Sequence, residues 1–336
     1  MTRNVTVFGG TGFIGRHIVQ RLARAGDSVR VAVRHPGSAG FLKPLGNVGQ
    51  VVPVQANVRD EASVAAAVAG ADAVINLVGL LYQSGKQSFA EVQARAPGRI
   101  ARAAAEAGVS QLVHVSAIGA DRASPSAYGR SKAAGEAAVR EAFPQATILR
   151  PSIVFGPEDD FFNRFAALCR TSPLVPLFFD ARKLPRFHWD GIFLVPSIEA
   201  GTSRMQPVYV GDVADAALAA LARPDAQGGL YELGGPADYS FRDLMALIQE
   251  QLGVHKPYLP VPYAAVDAGA FFAQMLPVPP ITRDQLKMLR IDNVVADDAA
   301  TLKNLGIAPT AVEVILPTYL ARHAAPRAAH DEAPQS

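Results

Sequence analysis

The residues able to do chemistry fall into two groups. The first is Gly9-Gly10-Thr11-Gly12-Phe13-Ile14-Gly15, directly after the apolar stretch Val5 to Phe8 and directly before a segment of helical periodicity. In that strand–turn–helix setting Gly9 permits a tight turn, Gly12 lets backbone amides approach a pyrophosphate, and Gly15 lets helix and strand pack closely. The helix N-terminus that follows offers unpaired N–H groups and partial positive charge to phosphates. The second group is Ser116, Tyr128 and Lys132. Tyr128 and Lys132 are four apart and project from one helix face. An ammonium beside a phenol favours the phenolate, and a serine hydroxyl can hold a carbonyl, so the three suit proton donation in hydride transfer. They equally suit a quieter role, in which they only hold the nicotinamide ribose.

The second strand ends on Arg34 and His35, where folds that prefer NAD carry an Asp or Glu for the ribose hydroxyls. A cation there suits a 2′-phosphate, and Arg16 in the first helical turn lies on the side to reinforce it, which favours NADPH over NADH. The alternative is that Arg34 is a solvated surface residue. Asn57 and Val58, after the third strand, are placed to contact the adenine.

Regular alternation of strand and helix must position these groups. Val5–Phe8, Val29–Val33, Val51–Val54, Ala73–Val78, Leu112–Ser116 and Thr147–Arg150 read as strands. Helices are expected after the glycine turn (closed by Gly26), around Val64 and Val68, over Gln87–Ala107 and over Ala127–Phe143. The pattern implies an α/β protein of Rossmann type, a doubly wound parallel sheet with a smaller C-terminal α/β appendage. Residues 1–150 form the dinucleotide-binding core, and residues 151–323 a substrate or partner region interleaved with it. Residues 324–336 have the composition of a disordered tail. Leu174–Arg204 reads as an irregular excursion. Gln206–Ala222 reads as a short strand and helix, Leu230–Leu233 as a strand, and Phe241–Leu252 and Val261–Met275 as helices. The apolar stripe of that last helix, including Tyr263, Val266 and Ala270, suits core packing or presentation to a partner or bilayer surface.

Composition excludes several classes. Hydrophobic residues make up 49% and charged residues 18% of the 336, ample for a buried core. A net charge of +2 argues against nucleic-acid binding. Cys169 is the one cysteine, so no internal disulfide forms, and its apolar flank marks a packing residue rather than a nucleophile. Val5 begins a strand too early for a signal sequence, and no uninterrupted apolar run is long enough for a transmembrane segment. No metal site is assigned.

Over roughly residues 4 to 320 the chain resembles an extended, atypical short-chain dehydrogenase/reductase. The resemblance rests on Gly9–Gly15, Asn76–Gly79, His114–Ala120, Tyr128–Lys132 and Pro151–Phe165. More narrowly it resembles the nucleotide-binding accessory subunits of respiratory complex I, through Leu42–Asp60, Glu141–Ala166, Met205–Ala216, Ile281–Val295 and Leu305–Leu320. The resemblance implies a bound NADPH that is structural rather than turned over. It also implies docking on peripheral-arm subunits of the complex, on the cytoplasmic side of the respiratory membrane or the matrix side in a mitochondrion. The cofactor candidates are then Gly9, Thr11, Gly12, Phe13, Ile14, Gly15, Arg16, Arg34, Asn57, Val58, Val78, Gly79, Tyr128, Lys132 and Pro151. If the protein turns over, Ser116, Tyr128 and Lys132 carry the reaction of an NADP-dependent reductase, dehydrogenase or sugar-nucleotide epimerase. One departure from the family pattern is the length of Phe178–Ser203. Its Arg182, Lys183, Arg186, His188 and Trp189 offer a partner or lipid-headgroup contact, or simply a solvated loop.

Overall fold

The computed structural model describes residues 2–180, 186–190, 193–197, 199–273 and 282–321. Its first part alternates β1 (Asn4–Phe8), α1 (Phe13–Arg24), β2 (Ser28–Val33), β3 (Val51–Gln55), α2 (Glu61–Val68), β4 (Ala73–Asn76), α3 (Ala96–Glu106), β5 (Gln111–Val115), α4 (Ala127–Ala142) and β6 (Thr147–Pro151). There follow β7 (Val154–Phe155), α5 (Phe161–Thr171), β8 (Val175–Phe179), β9 (Arg186–Asp190), β10 (Phe193–Ser197), β11 (Arg204–Met205), β12 (Val208–Tyr209), α6 (Val210–Ala222) and β13 (Leu230–Leu233). The chain ends with β14 (Tyr239–Ser240), α7 (Phe241–Leu252), β15 (Tyr258–Pro262), α8 (Tyr263–Ala273), α9 (Arg283–Leu289) and α10 (Val312–Leu320).

Seven strands make one sheet in the order β13-β6-β5-β4-β1-β2-β3, all pairs parallel. A parallel sheet covered on both faces needs apolar residues on both sides of each strand, which is why β4 is buried at all four positions. Under one face, Ile18, Val19 and Leu22 of α1 share a core with Val213, Ala217 and Leu221 of α6. Under the other, Val64, Ile100 and Val139 bring α2, α3 and α4 together. The sheet is thus doubly wound, and one covering helix, α6, and the edge strand β13 come from beyond residue 200.

Beyond β6 a second core gathers Phe155, Phe162, Leu177, Phe241, Ile248 and Leu316. Asp159 fastens it: its buried carboxylate accepts from the amides of Gly156 and Phe162 and from the Tyr319 hydroxyl. Cys169 is buried in this core, and burial pushes its thiol up, as a packing residue requires.

Several elements differ from the sequence reading. Ala25 caps α1, and Gly26 follows it with φ +88°. The long helix expected over Gln87–Ala107 opens instead with a π-helical turn, Ala90–Arg95, before α3. Val261 and Pro262, read as the start of a helix, instead end β15, which pairs in parallel with β8, and α8 begins only at Tyr263. Within the stretch read as an irregular excursion lie β8 and the β9–β10 hairpin. Arg182 and Lys183 fall outside the described residues, as does the tail 324–336, and only the backbone of Arg186, His188 and Trp189 is described. Of the stripe in α8, Tyr263 and Ala270 are buried and Val266 partly so.

Candidate functional site

The glycine turn lies at the carboxyl end of β1, which runs between β4 and β2 near the middle of the sheet. Gly9 takes φ +82°, a conformation that disfavours a side chain. A Cβ on Gly15 would lie 2.2 Å from the Gly9 carbonyl oxygen, so the close crossing of α1 and the turn excludes any larger residue. Gly12 is different. It is exposed, and the nearest atom to a Cβ there is the Gly9 oxygen at 3.3 Å. The fold's demand for glycine is severe at 15 and mild at 12, where the open side is the approach to the first turn of α1. That turn has no side-chain cap and no acidic residue, so its N–H groups and partial positive charge are left for an anion. Thr11, Phe13 and Ile14 are partly buried around it, with the Phe13 ring against the position a Gly156 Cβ would take.

Arg34 stands exposed immediately after β2, with no hydrogen bond or ion pair among the described residues. Arg16 has its guanidinium carbon 5.7 Å from the centre of the Phe41 ring and a terminal nitrogen 3.6 Å from Glu158. Its Nε is buried without a partner. Asn57 is already occupied: its side-chain oxygen accepts from the Arg59 amide, and its own amide donates to Ser63. The Val58 carbonyl holds Arg99, so these two residues shape the turn after β3.

The other end is built on β4, β5 and α4. Lys132 is buried and donates from Nζ to the Val115 carbonyl at 3.0 Å. Gly79 stands beside it, since a Cβ there would come 3.9 Å from Nζ. Burial holds the Lys132 ammonium down to about 8, against a smaller upward pull from Glu136. Ser116 is buried next to this pair, and its hydroxyl has no partner among the described residues. Tyr128 is half-buried, edge-on to Phe89 at 6.0 Å between ring centres, and burial raises its phenol to about 12. Its hydroxyl makes no hydrogen bond among the described residues. Val78 and Pro151 close the neighbouring strand ends, with the Pro151 carbonyl accepting from Ile118.

Sequence reasoning did not single out Asn76 and His114. They face each other across β4 and β5, with Asn76 Nδ2 3.1 Å from His114 Nδ1. The Asn76 side-chain oxygen accepts from the Val78 amide, so its NH2 group faces the ring. That assignment makes Nδ1 the acceptor and leaves the proton on Nε2, which is buried and unpartnered. Burial, with the Lys132 charge adding to it, pushes His114 down to about 3, so the ring is neutral. The signal was the alternation of β5: residues two apart share a strand face, so His114 lies on the same side as Ser116.

The turn can therefore take a pyrophosphate, Arg34 a further phosphate, and the Ser116, Tyr128 and Lys132 side chains the hydroxyls of a polar ring. Two orphaned buried polar atoms, Ser116 Oγ and His114 Nε2, fit a site that expects a polar occupant. Among the described residues no group of side chains is arranged to hold a metal, and no helix is long and apolar enough to cross a membrane.

A family model described as the NAD dependent epimerase/dehydratase family matches residues 5–234. The chain is 35% identical over 316 residues to the Arabidopsis thaliana protein named NADH dehydrogenase (ubiquinone) 1 alpha subcomplex subunit 9, mitochondrial, covering 90% of this chain and 74% of that one. The Mus musculus protein of the same name is 34% identical over 324 residues, 95% and 80% of the two chains. Among solved structures, a dTDP-glucose 4,6-dehydratase from Streptomyces venezuelae with NAD bound superposes with a TM-score of 0.67 at 20% identity, over 95% of this chain and 96% of that one. Fold, glycine turn and similarity over nearly the whole length agree: this chain belongs to the NAD dependent epimerase/dehydratase family, beside the alpha subcomplex subunit 9 proteins of NADH dehydrogenase.

Proposed function

We propose that the protein is an NADPH-holding accessory subunit of respiratory complex I, in which the nucleotide is part of the structure and is not turned over. The observation that carries this reading is the 34–35% identity, over nine-tenths or more of the chain, to relatives named as subunits of that complex in a plant and a mammal. The site agrees with it. Gly12 and the first turn of α1 receive the pyrophosphate, Arg34 the 2′-phosphate, and Lys132 with Tyr128 the nicotinamide ribose. When bound, the nicotinamide supplies a hydride donor or acceptor. A phenol raised to about 12, with no hydrogen bond from Lys132, is poor equipment for delivering protons near neutrality. The partners are peripheral-arm subunits, and the location is the cytoplasmic face of the respiratory membrane, or the matrix face in a mitochondrion.

A second reading, an NADP-dependent reductase, dehydrogenase or sugar-nucleotide epimerase, draws on one observation. The Ser116 hydroxyl is buried without a partner among the described residues, which leaves it able to donate to a substrate carbonyl. Purification from source membranes in gentle detergent, through a tag on this chain, separates the two. Co-purification with quinone-oxidoreductase subunits and about one NADPH per chain, the stoichiometry of one glycine turn, is the expected result. A free protein that exchanges NADPH and reduces an added carbonyl substrate would overturn it.

A further inference from the structure

The first turn of α4, which carries Tyr128, is fastened by a residue more than 150 positions away. The carboxylate of Asp284, on α9, accepts from the backbone amides of both Ala127 (2.7 Å) and Tyr128 (2.9 Å). Ser126, the N-cap residue, takes the next amide, that of Gly129. A helix start ordinarily gives these amides to its own cap or to water. Here a carboxylate brought in from the second half of the chain meets two of them.

Asp284 is itself held firmly. Thr282 and Gln285 form a capping box around the start of α9, and Leu286 is buried. Arg283 pairs with Asp267 of α8, the Tyr263 hydroxyl donates to the Leu289 carbonyl, and the Arg290 guanidinium lies 4.6 Å over the Tyr263 ring. Beyond α9 the chain is sewn to the end of β6: Ser152 donates to both the carbonyl and the side-chain oxygen of Asn293, and the Asn293 amide donates to the Arg204 carbonyl. The middle of α4 is fixed otherwise, by Arg150 on Glu136 and by Gly135 against the Gln93 carbonyl. Only the first turn depends on Asp284.

We propose that Asp284 is a positioning residue for the nicotinamide end of the nucleotide site, setting the place of Tyr128 and, one turn on, Lys132. The proposal rests on the reading that the nicotinamide ribose lies against those two side chains. The adenine half, held by the Gly9–Gly15 turn and Arg34, rests on β1, α1 and the end of β2, none of which Asp284 bonds. Loss of the carboxylate therefore loosens one half of the ligand and spares the other, a selectivity that general destabilisation does not produce.

The test uses the full chain and two probes, NADPH and 2′,5′-ADP, the latter lacking the nicotinamide ribose. Asp284→Ala is expected to weaken NADPH about tenfold and 2′,5′-ADP by less than about twofold. Asp284→Asn, which keeps the shape and one acceptor oxygen, is expected to fall between wild type and the alanine variant. Equal weakening of both probes, or no change in either, overturns the proposal and leaves the nucleotide reading standing. Should Asp284→Ala not fold, Asp284→Asn is judged by the same ratio. A wild-type chain that binds 2′,5′-ADP no more weakly than NADPH overturns the ribose placement, and this proposal with it.

Discussion

Lys132 Nζ donates to the carbonyl oxygen of Val115 at 3.0 Å, and the Tyr128 hydroxyl four residues before it receives no hydrogen bond from that ammonium. The pair shares a helix face without forming the ammonium–phenolate couple that its spacing suggests. Burial without a compensating charge then keeps the phenol protonated, with a pKa of about 12. An ultraviolet difference titration of wild type against Tyr128→Phe should show no extra phenolate below about pH 10. A difference signal rising near neutrality would mark Tyr128 as a poised acid and favour the enzyme reading. Complex assembly of Tyr128→Phe should be normal.

Gly12 and Gly15 should respond differently to the same change. Gly15→Ala forces a methyl group to within 2.2 Å of the Gly9 oxygen, so a loss of about 3 kcal/mol of stability or outright misfolding is expected. Gly12→Ala meets only the Gly9 oxygen at 3.3 Å, so stability should change by about 1 kcal/mol or less while NADPH affinity falls steeply. The larger Gly12→Val should abolish binding. Calorimetric titration beside thermal unfolding separates the two effects, and unchanged NADPH affinity in Gly12→Val would rule out this turn as the pyrophosphate site.

Arg34 has no internal partner among the described residues, so replacing it removes a ligand contact rather than a structural one. Arg34→Asp should cost NADPH at least about tenfold in affinity while leaving NADH within about threefold of wild type. The ratio of the two dissociation constants is the measurement. An equal loss of both would show that Arg34 does not read the 2′-phosphate.

His114 gives the fold a pH signature. Folded, the ring is pushed down from 6.5 to about 3, so unfolding takes up a proton anywhere between those values. Stability should therefore fall as pH drops from about 6.5 towards 3. Lys132, pushed down from 10.5 to about 8, acts in the same direction in the alkaline window: its buried charge weighs on the fold below about 8 and less as pH rises towards 10.5. Urea unfolding of His114→Leu should show a shallower decline between pH 6.5 and 5 than wild type. Parallel declines would mean that the ring is charged in the folded protein.

The first half of the chain was legible because its determinants are local. Strands such as β1 and β4 announce themselves as apolar runs that end at turn glycines, and α1 by the spacing of Ile18 and Leu22. The glycine turn was legible for the same reason. The second half resisted where other patterns intervened. Prolines 176, 260 and 262 masked the pairing of β8 with β15. The stretch of α5 did carry a helical signal, Phe162, Ala166 and Cys169 on one face, in a region where strand rhythm had just ended. At the site, the glycines and the Ser116–Tyr128–Lys132 set were visible, whereas Asn76–His114 and Asp284 were not. Their roles arise from strand adjacency and from a contact between residues more than 150 positions apart. Alternation along β5 puts His114 on the face of Ser116 but names no partner on β4, and no local pattern encodes the Asp284 contact.

The late arrival of β13 governs how the molecule comes into being. β6 ends at Pro151, yet its outer neighbour begins at Leu230, and the helix that shields α1 lies between them. A ribosome releasing the first 150 residues would expose an unpaired β6 edge and a bare apolar face on α1. The nascent nucleotide-binding half must therefore wait, open and prone to aggregate, for residues 210–233 to emerge. Cutting the gene at the apparent border near residue 150 should yield insoluble fragments, and a chaperone would find its client in that interval.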